Sequence, residues 1–252
     1  MRSEIFSNAE QQVAAPGFVL QNSKMLKATV NGDFFARRGG MVAYQGNVRF
    51  EYQGVTSGAG TMKDKLMRAA KSAVTGEGVP LMRVTGQGEV FLADDASDVF
   101  LIDLDGSDAL SINGRNVLAF ESTLGYDIKM VGNAGALAGA GLFNTILHGT
   151  GRVAITSRGT PVVLQTNQPT FVDPNAAICW SANLGVQLVR SEGMGALFGR
   201  ASGEQYQMNF SGPGFVVVQP SENMGGIGAQ NAGAQQNDGP GGMLGQFLGG
   251  GR

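Results

Sequence analysis

The chain is poor in the residues that carry most enzyme chemistry. Its 252 residues include one Cys (Cys179), one His (His148) and one Trp (Trp180). A single Cys excludes an intrachain disulfide framework and fits a reducing cytoplasm. A single His cannot supply the two or three imidazoles of a cupin-type metal site. Charge is also scarce, at 15% of residues against about 25% in an average domain. The net charge of −2 gives no electrostatic ground for a nucleic-acid partner. The longest weakly polar stretch, residues 134–147, is too short and glycine-rich to span a bilayer. The first residues lack the apolar core of a secretory signal. These absences predict a soluble, cytoplasmic protein that can still lie against a membrane surface.

Catalytic motifs are missing too. There is no G-x-S-x-G elbow and no phosphate-binding G-x-x-x-x-G-K-[ST]. Three G-x-G sequences exist, but a dinucleotide fingerprint needs a third glycine and a helix directly after it. Here Phe91, Ala154 and Val217 hold that third place, and apolar alternation follows. Cys179 sits in an apolar run beside Trp180, the setting of an inert core thiol. The acidic group Asp94, Asp95, Asp98, Asp103, Asp105 and Asp108 has a glycine at the fourth rather than the sixth place of a calcium loop, and Gly114 where the bidentate Glu belongs. Solvated turns between strands explain it better. The expectation is a protein that is not an enzyme, with no catalytic residue, no metal and no cofactor.

What the chain does have is glycine, 40 residues of it, roughly twice the usual share of about 7%. Glycine clusters alternate with short period-two apolar runs, the pattern of an all-β domain with many tight turns. One signature recurs. Residues 81–92 (LMRVTGQGEVFL) return as 144–155 (NTILHGTGRVAI) and 207–218 (QMNFSGPGFVVV), and Gly86, Gly149 and Gly212 lie 63 residues apart. Each copy continues with alternating apolar residues, Val90 and Leu92, Val153 and Ile155, Val216 and Val218. The glycines are expected to be hairpin corners.

Around the signatures, short apolar runs predict strands. Asn31-Gly32-Asp33 and Gln45-Gly46-Asn47 predict hairpin turns, because Asn and Gly tolerate positive φ. Met41-Val42-Ala43-Tyr44, Val117-Leu118-Ala119-Phe120 and Ala177-Ile178-Cys179-Trp180 correspond to one another, and Val30-Asn31-Gly32 resembles Ile112-Asn113-Gly114. Three related β units over residues 1–220 are the economical reading, bounded at about 12–75, 76–143 and 144–220. Residues 61–74 break the pattern. Met62, Leu66, Ala69, Ala70 and Ala73 share one helical face, with Lys63, Lys65, Arg68 and Lys71 around the rest. They predict one short basic amphipathic helix. Two apolar glycine-rich inserts, 133–143 and 193–199, carry Leu137, Leu142, Phe143, Leu197 and Phe198. Such inserts fold over a sheet end, lie between subunits, or present an apolar surface to a membrane or partner. Residues 221–252, rich in Gly, Gln and Asn, predict a mostly disordered tail.

The run Ala36-Arg37-Arg38-Gly39-Gly40-Met41-Val42-Ala43-Tyr44, the Gly86-x-Gly88 and Gly149-x-Gly151 turns, and Gly212-Pro213-Gly214 with Val216-Val217-Val218-Gln219 resemble the altered-inheritance-of-mitochondria family of bacterial and mitochondrial proteins. The resemblance covers about residues 12–220. It implies a duplicated β-sandwich, with double-stranded-β-helix-like units similar to the tryptophan RNA-binding attenuation protein, and self-association. It also implies a link to organelle and inner-membrane organisation in mitochondrial members. It carries over no catalytic residue. The functional expectation is therefore a non-enzymatic, self-associating β scaffold or binding module, acting on a protein partner or at a membrane surface. Lys63, Lys65, Arg68, Lys71 and the five Leu and Phe residues of the inserts are its candidate contacts. The alternative is a soluble ligand-binding or RNA-binding protein.

Overall fold

Period-two alternation of apolar and polar side chains suits a strand with one face buried, and strands are what this chain forms. The computed structural model describes residue 5 and residues 16–53, 80–131, 143–190 and 206–221. Their sixteen regular elements are all strands, and every recorded pairing is antiparallel. The all-β expectation holds. The predicted helix over 61–74, both apolar inserts except Phe143, and the predicted tail beyond residue 221 lie outside the described residues.

The first strands are β1 (Gly17–Asn22), β2 (Met25–Arg37), β3 (Met41–Gln53) and β4 (Leu81–Leu92). Two expectations fail here. Neither Asn31-Gly32-Asp33 nor Gln45-Gly46-Asn47 is a hairpin turn, because β2 and β3 run through them without a break. The reason lies across the sheet. Gly32 pairs with Gly86 on β4, and Gly46 pairs with Gly88. Gly86 has φ of 118°, and a Cβ there would overlap the backbone oxygen of Asn47 on β3. Gly46, Gly86 and Gly88 are needed because neighbouring backbones come too close for a side chain, and Gly32 because its φ is 119°; in neither case does the chain reverse.

After β4 come β5 (Asp98–Asp105), β6 (Leu110–Asn113), β7 (Val117–Glu121), β8 (Gly125–Met130), β9 (Phe143–His148) and β10 (Thr150–Ser157). The last six are β11 (Val162–Gln165), β12 (Thr170–Val172), β13 (Ala177–Ser181), β14 (Gly185–Arg190), β15 (Tyr206–Ser211) and β16 (Phe215–Val218). They build three sheets. The largest has the order β3-β4-β2-β7-β10-β5, with β1 also paired to β2. The second is β11-β16-β13-β6-β9-β8, and the third is β12-β15-β14.

The signature glycines are therefore not hairpin corners. In the first copy they lie inside a continuous strand, β4. In the second, the chain leaves the second sheet as β9 and enters the first as β10; in the third, β15 belongs to the third sheet and β16 to the second. Gly149 and Gly212, with φ of 96° and 106°, mark where the chain changes sheet. Strands that switch sheets in this way join layers without a long connection.

One pairing scheme recurs along the chain. Tyr44 opposes Val90, Phe120 opposes Val153 and Trp180 opposes Val216. In each case the ladder slips by one residue just before, leaving Val42, Leu118 and Ile178 as bulges. The backbone amides of Ala93, Thr156 and Gln219 donate to the carbonyls of Gly40, Asn116 and Ala176 at 2.9, 2.8 and 2.9 Å. The sequence correspondence of Met41–Tyr44, Val117–Phe120 and Ala177–Trp180 thus has a structural counterpart. That of Val30-Asn31-Gly32 with Ile112-Asn113-Gly114 does not. Phe34 opposes Val84 as Leu110 opposes Leu147, so Ile112 corresponds to Ala36.

Burial follows the sheets. Phe18, Leu26, Val30, Phe34, Val84 and Leu92 form one cluster; Leu110, Ile112, Phe120, Leu147, Val153 and Ile178 form a second; and Trp180, Leu188, Met208, Phe210 and Val216 form a third. Trp180 meets Phe210 edge-on at 5.5 Å, and Phe35 stacks on Phe120 at 5.2 Å. Among the described residues, one cation enters the interior. Lys27 is 1% exposed, with its Nζ 2.8 Å from the Glu89 carboxylate, an arrangement that satisfies a charge otherwise costly to bury.

Candidate interaction surface

The polar groups that suggested chemistry are used for structure. The acidic cluster does not converge. Asp94 pairs with Arg37, Asp95 with Arg158 at 3.2 Å, Asp98 with Lys24 at 2.6 Å and Asp103 with Arg152 at 2.6 Å, while Asp105 accepts from the amide and hydroxyl of Ser107. The hydrogen bond from Arg152 holds the Asp103 carboxyl below the usual carboxylate range, and Ser107 does the same for Asp105. Asp103 bridges the β5–β10 ladder, and the other four carboxylates tie down strand ends or turns. His148 ends β9, exposed, with its ring laid over Gly125 on β8, where a side chain would collide with it. Cys179 is buried on β13, and burial pushes its thiol up to about 12, so it stays protonated and unreactive at neutral pH.

An open depression lies beside β15. Thr166, Asn167, Gln168, Pro169, Asn209 and Ser211, with the corner Gly212-Pro213, line a hollow of about 400 Å³. The side-chain oxygen of Asn209 is buried without a hydrogen-bond partner.

Apolar exposure is concentrated on outer strands. On β3, the first strand of the largest sheet, Met41, Val42, Tyr44 and Tyr52 are exposed. On β11 and β8, the two outer strands of the second sheet, the exposed residues are Val162, Val163 and Leu164, and Ile128 and Met130. On β12, an outer strand of the third sheet, it is Phe171. An outer strand presents unpaired N–H and C=O groups, and native proteins seldom leave one apolar unless something covers it.

Of the residues proposed from sequence as contacts, only Phe143 lies in the described part. It opens β9 opposite Met130 and is half-buried against the second core cluster, so it serves packing. Leu137, Leu142, Leu197, Phe198, Lys63, Lys65, Arg68 and Lys71 fall outside the described residues. The exposed edge residues carry no separate signal in the sequence, because their apolar alternation is that of core strands.

The fold has known counterparts. A family model described as mitochondrial biogenesis AIM24 matches residues 18–221. The chain belongs to the AIM24 family. A crystal structure of a protein from Streptococcus pyogenes, solved by a structural genomics consortium, superposes with a TM-score of 0.60 at 20% identity. The alignment covers 81% of this chain and 92% of that one, and at this identity it speaks to fold alone. No curated protein matches the chain. The AIM24 match spans all sixteen strands but for the first residue of β1. Among the described residues of this AIM24 chain, no helix is long and apolar enough to cross a membrane.

Proposed function

We propose that this protein is a non-enzymatic, self-associating β scaffold that binds protein partners through its sheet edges, in the cytoplasm and peripherally at a membrane surface. The observation that carries the reading is the concentration of exposed apolar side chains on outer strands, where backbone donors and acceptors are also available. Strand addition uses both at once: ladder hydrogen bonds supply affinity and alternate side chains supply specificity. Val162, Val163 and Leu164 on β11, and Met41, Val42 and Tyr44 on β3, offer that combination. The placement of the acidic and imidazole side chains in ion pairs and turns is in keeping with a structural role for them.

Light scattering at micromolar concentration tests self-association, with a mass well above the 26.2 kDa of one chain expected. A monomer at that concentration refutes it. Co-sedimentation with vesicles of anionic and of neutral lipid tests the membrane part. Pelleting with the anionic vesicles alone is expected if Lys63, Lys65, Arg68 and Lys71 take part, and absence from both pellets removes membrane contact.

A second reading, a soluble protein that binds a small polar ligand, is favoured by the hollow beside Asn209, whose buried oxygen is free to accept a hydrogen bond. Substituting Asn209 by Leu should abolish such binding without lowering the assembled mass. RNA binding, the other form of this reading, fails if a labelled oligouridylate shows no anisotropy change at low salt, where phosphate contacts are strongest.

A further inference from the structure

Two strand-to-strand junctions inside the chain share one geometry. In the first, Phe34, Phe35 and Ala36 of β2 oppose Glu121, Phe120 and Ala119 of β7. In the second, Leu110, Ser111 and Ile112 of β6 oppose Ser181, Trp180 and Cys179 of β13. Both are antiparallel, and corresponding residues meet in both. Each buries the strand it covers: Leu118, Ala119 and Phe120 are 0% exposed, as are Ile178 and Cys179.

Both halves of a third such junction are present and open. The strand corresponding to β7 and β13 is the first part of β3, since Tyr44, Phe120 and Trp180 oppose Val90, Val153 and Val216. The strand corresponding to the Phe34–Ala36 part of β2 and to β6 is β12, since Phe34, Leu110 and Thr170 oppose Val84, Leu147 and Phe210. Both strands are outermost in their sheets. Val42 is 56% and Tyr44 49% exposed where their counterparts are buried, and Phe171 is 52% exposed where Ser111 is 1%.

Resting on the self-association proposed above, we infer that β12 of one chain pairs with β3 of a second copy, antiparallel and head to tail, in the register of the two internal junctions. That register sets Thr170 opposite Gln45, Phe171 opposite Tyr44 and Val172 opposite Ala43. The Phe171–Tyr44 pair then repeats the aromatic contact of Phe35 with Phe120, whose rings are 5.2 Å apart. Flanking groups complement each other. At the internal junctions Arg37 donates to the Arg115 carbonyl at 2.7 Å, and Asn113 donates to the Pro174 and Ala177 carbonyls at 3.2 and 3.1 Å, each reaching the turn before the covered strand. The corresponding residue on the open side is Asp173, and the turn before β3 carries Arg38, so opposite charges meet there. Because the two surfaces differ, the contact is heterologous, and each copy offers one of each.

The test has two arms. In the first, Tyr44→Cys and Phe171→Cys are placed together in one chain, oxidised, and run on a denaturing non-reducing gel; buried Cys179 stays silent. A ladder of covalent multimers is expected, and a control pairing Val163→Cys with Phe171→Cys should give none. In the second, Phe171→Asp is weighed by light scattering, with Trp180 fluorescence verifying the fold, and is expected to weaken association about a hundredfold. An assembled wild type whose mass survives Phe171→Asp, with no ladder from the cysteine pair, overturns the β12–β3 junction and leaves self-association standing. A cysteine pair that closes within one chain overturns the junction as well. A monomeric wild type overturns both.

Discussion

Gly32 and Gly86 face each other across β2 and β4 with nearly the same backbone, φ of 119° and 118°. They differ in what surrounds them. A Cβ on Gly32 would meet nothing within 4 Å, whereas one on Gly86 would overlap the Asn47 carbonyl oxygen of β3. Changing each to Ala therefore separates conformational cost from steric cost. Gly32→Ala incurs only the strain of a non-glycine residue at positive φ, about 2 kcal/mol. Gly86→Ala carries the same strain and must also push β3 from β4 around Asn47, weakening one or two ladder hydrogen bonds at about 1 kcal/mol each, for a total of about 4 kcal/mol. For a chain of this size these losses lower the melting temperature by about 4–8 °C and about 8–16 °C respectively. Urea unfolding followed by Trp180 fluorescence and far-ultraviolet circular dichroism measures both variants on one footing. Equal destabilisation, or a milder effect at Gly86, would refute close backbone approach as the reason for glycine at position 86.

Further outcomes are equally specific. Asp33 is pushed up by burial, but hydrogen bonds from Arg83 and Ser122 outweigh this and hold its carboxyl below its usual range. Its stabilisation is therefore present above the unfolded carboxylate pKa and lost as pH falls through the lower folded value. Asp33→Asn should cost about 1 kcal/mol at neutral pH and much less near pH 2 to 3, read from urea midpoints. Cys179 behaves in the opposite sense. Its thiol stays protonated in the fold up to about 12, while the unfolded thiol ionises near 9, so stability falls as pH rises through that interval. Cys179→Ala should remove about 1 kcal/mol of the loss seen on going from about pH 8 to about pH 10, and a thiol reagent should label the wild type only after unfolding. Gly125→Ala should displace the His148 ring, visible as a shift of the one imidazole resonance, at a cost under about 1 kcal/mol because that ring is exposed.

The fold class was readable because period-two alternation is local: Val90 and Leu92, or Val153 and Ile155, declare a half-buried strand by themselves. Topology was not. Asn31-Gly32 has the local chemistry of a hairpin turn, and only its pairing with Gly86 on a different strand decides that the backbone continues. The G-x-G signature misled in the same way, since a change of sheet and a reversal both call for glycine. Three apolar runs do align as counterparts from sequence, Met41–Tyr44 with Val117–Phe120 and Ala177–Trp180. That alignment also hid the candidate surface. Val42 resembles Leu118 and Ile178 in sequence and differs only in lacking a neighbouring strand, which no local pattern records.

The sharing of strands between sheets also bears on how the molecule can come apart. The residues between Asp98 and Ser157 place β5, β7 and β10 in one sheet and β6, β8 and β9 in another. Removing that segment would strip the largest sheet of three strands and take half of the second. Tandem repeats that merely stack can lose an end unit and keep the rest folded. Here the copies are woven, so unfolding of the described strands should be a single cooperative event, and a cut that respects the 63-residue period should yield fragments that fail to fold alone.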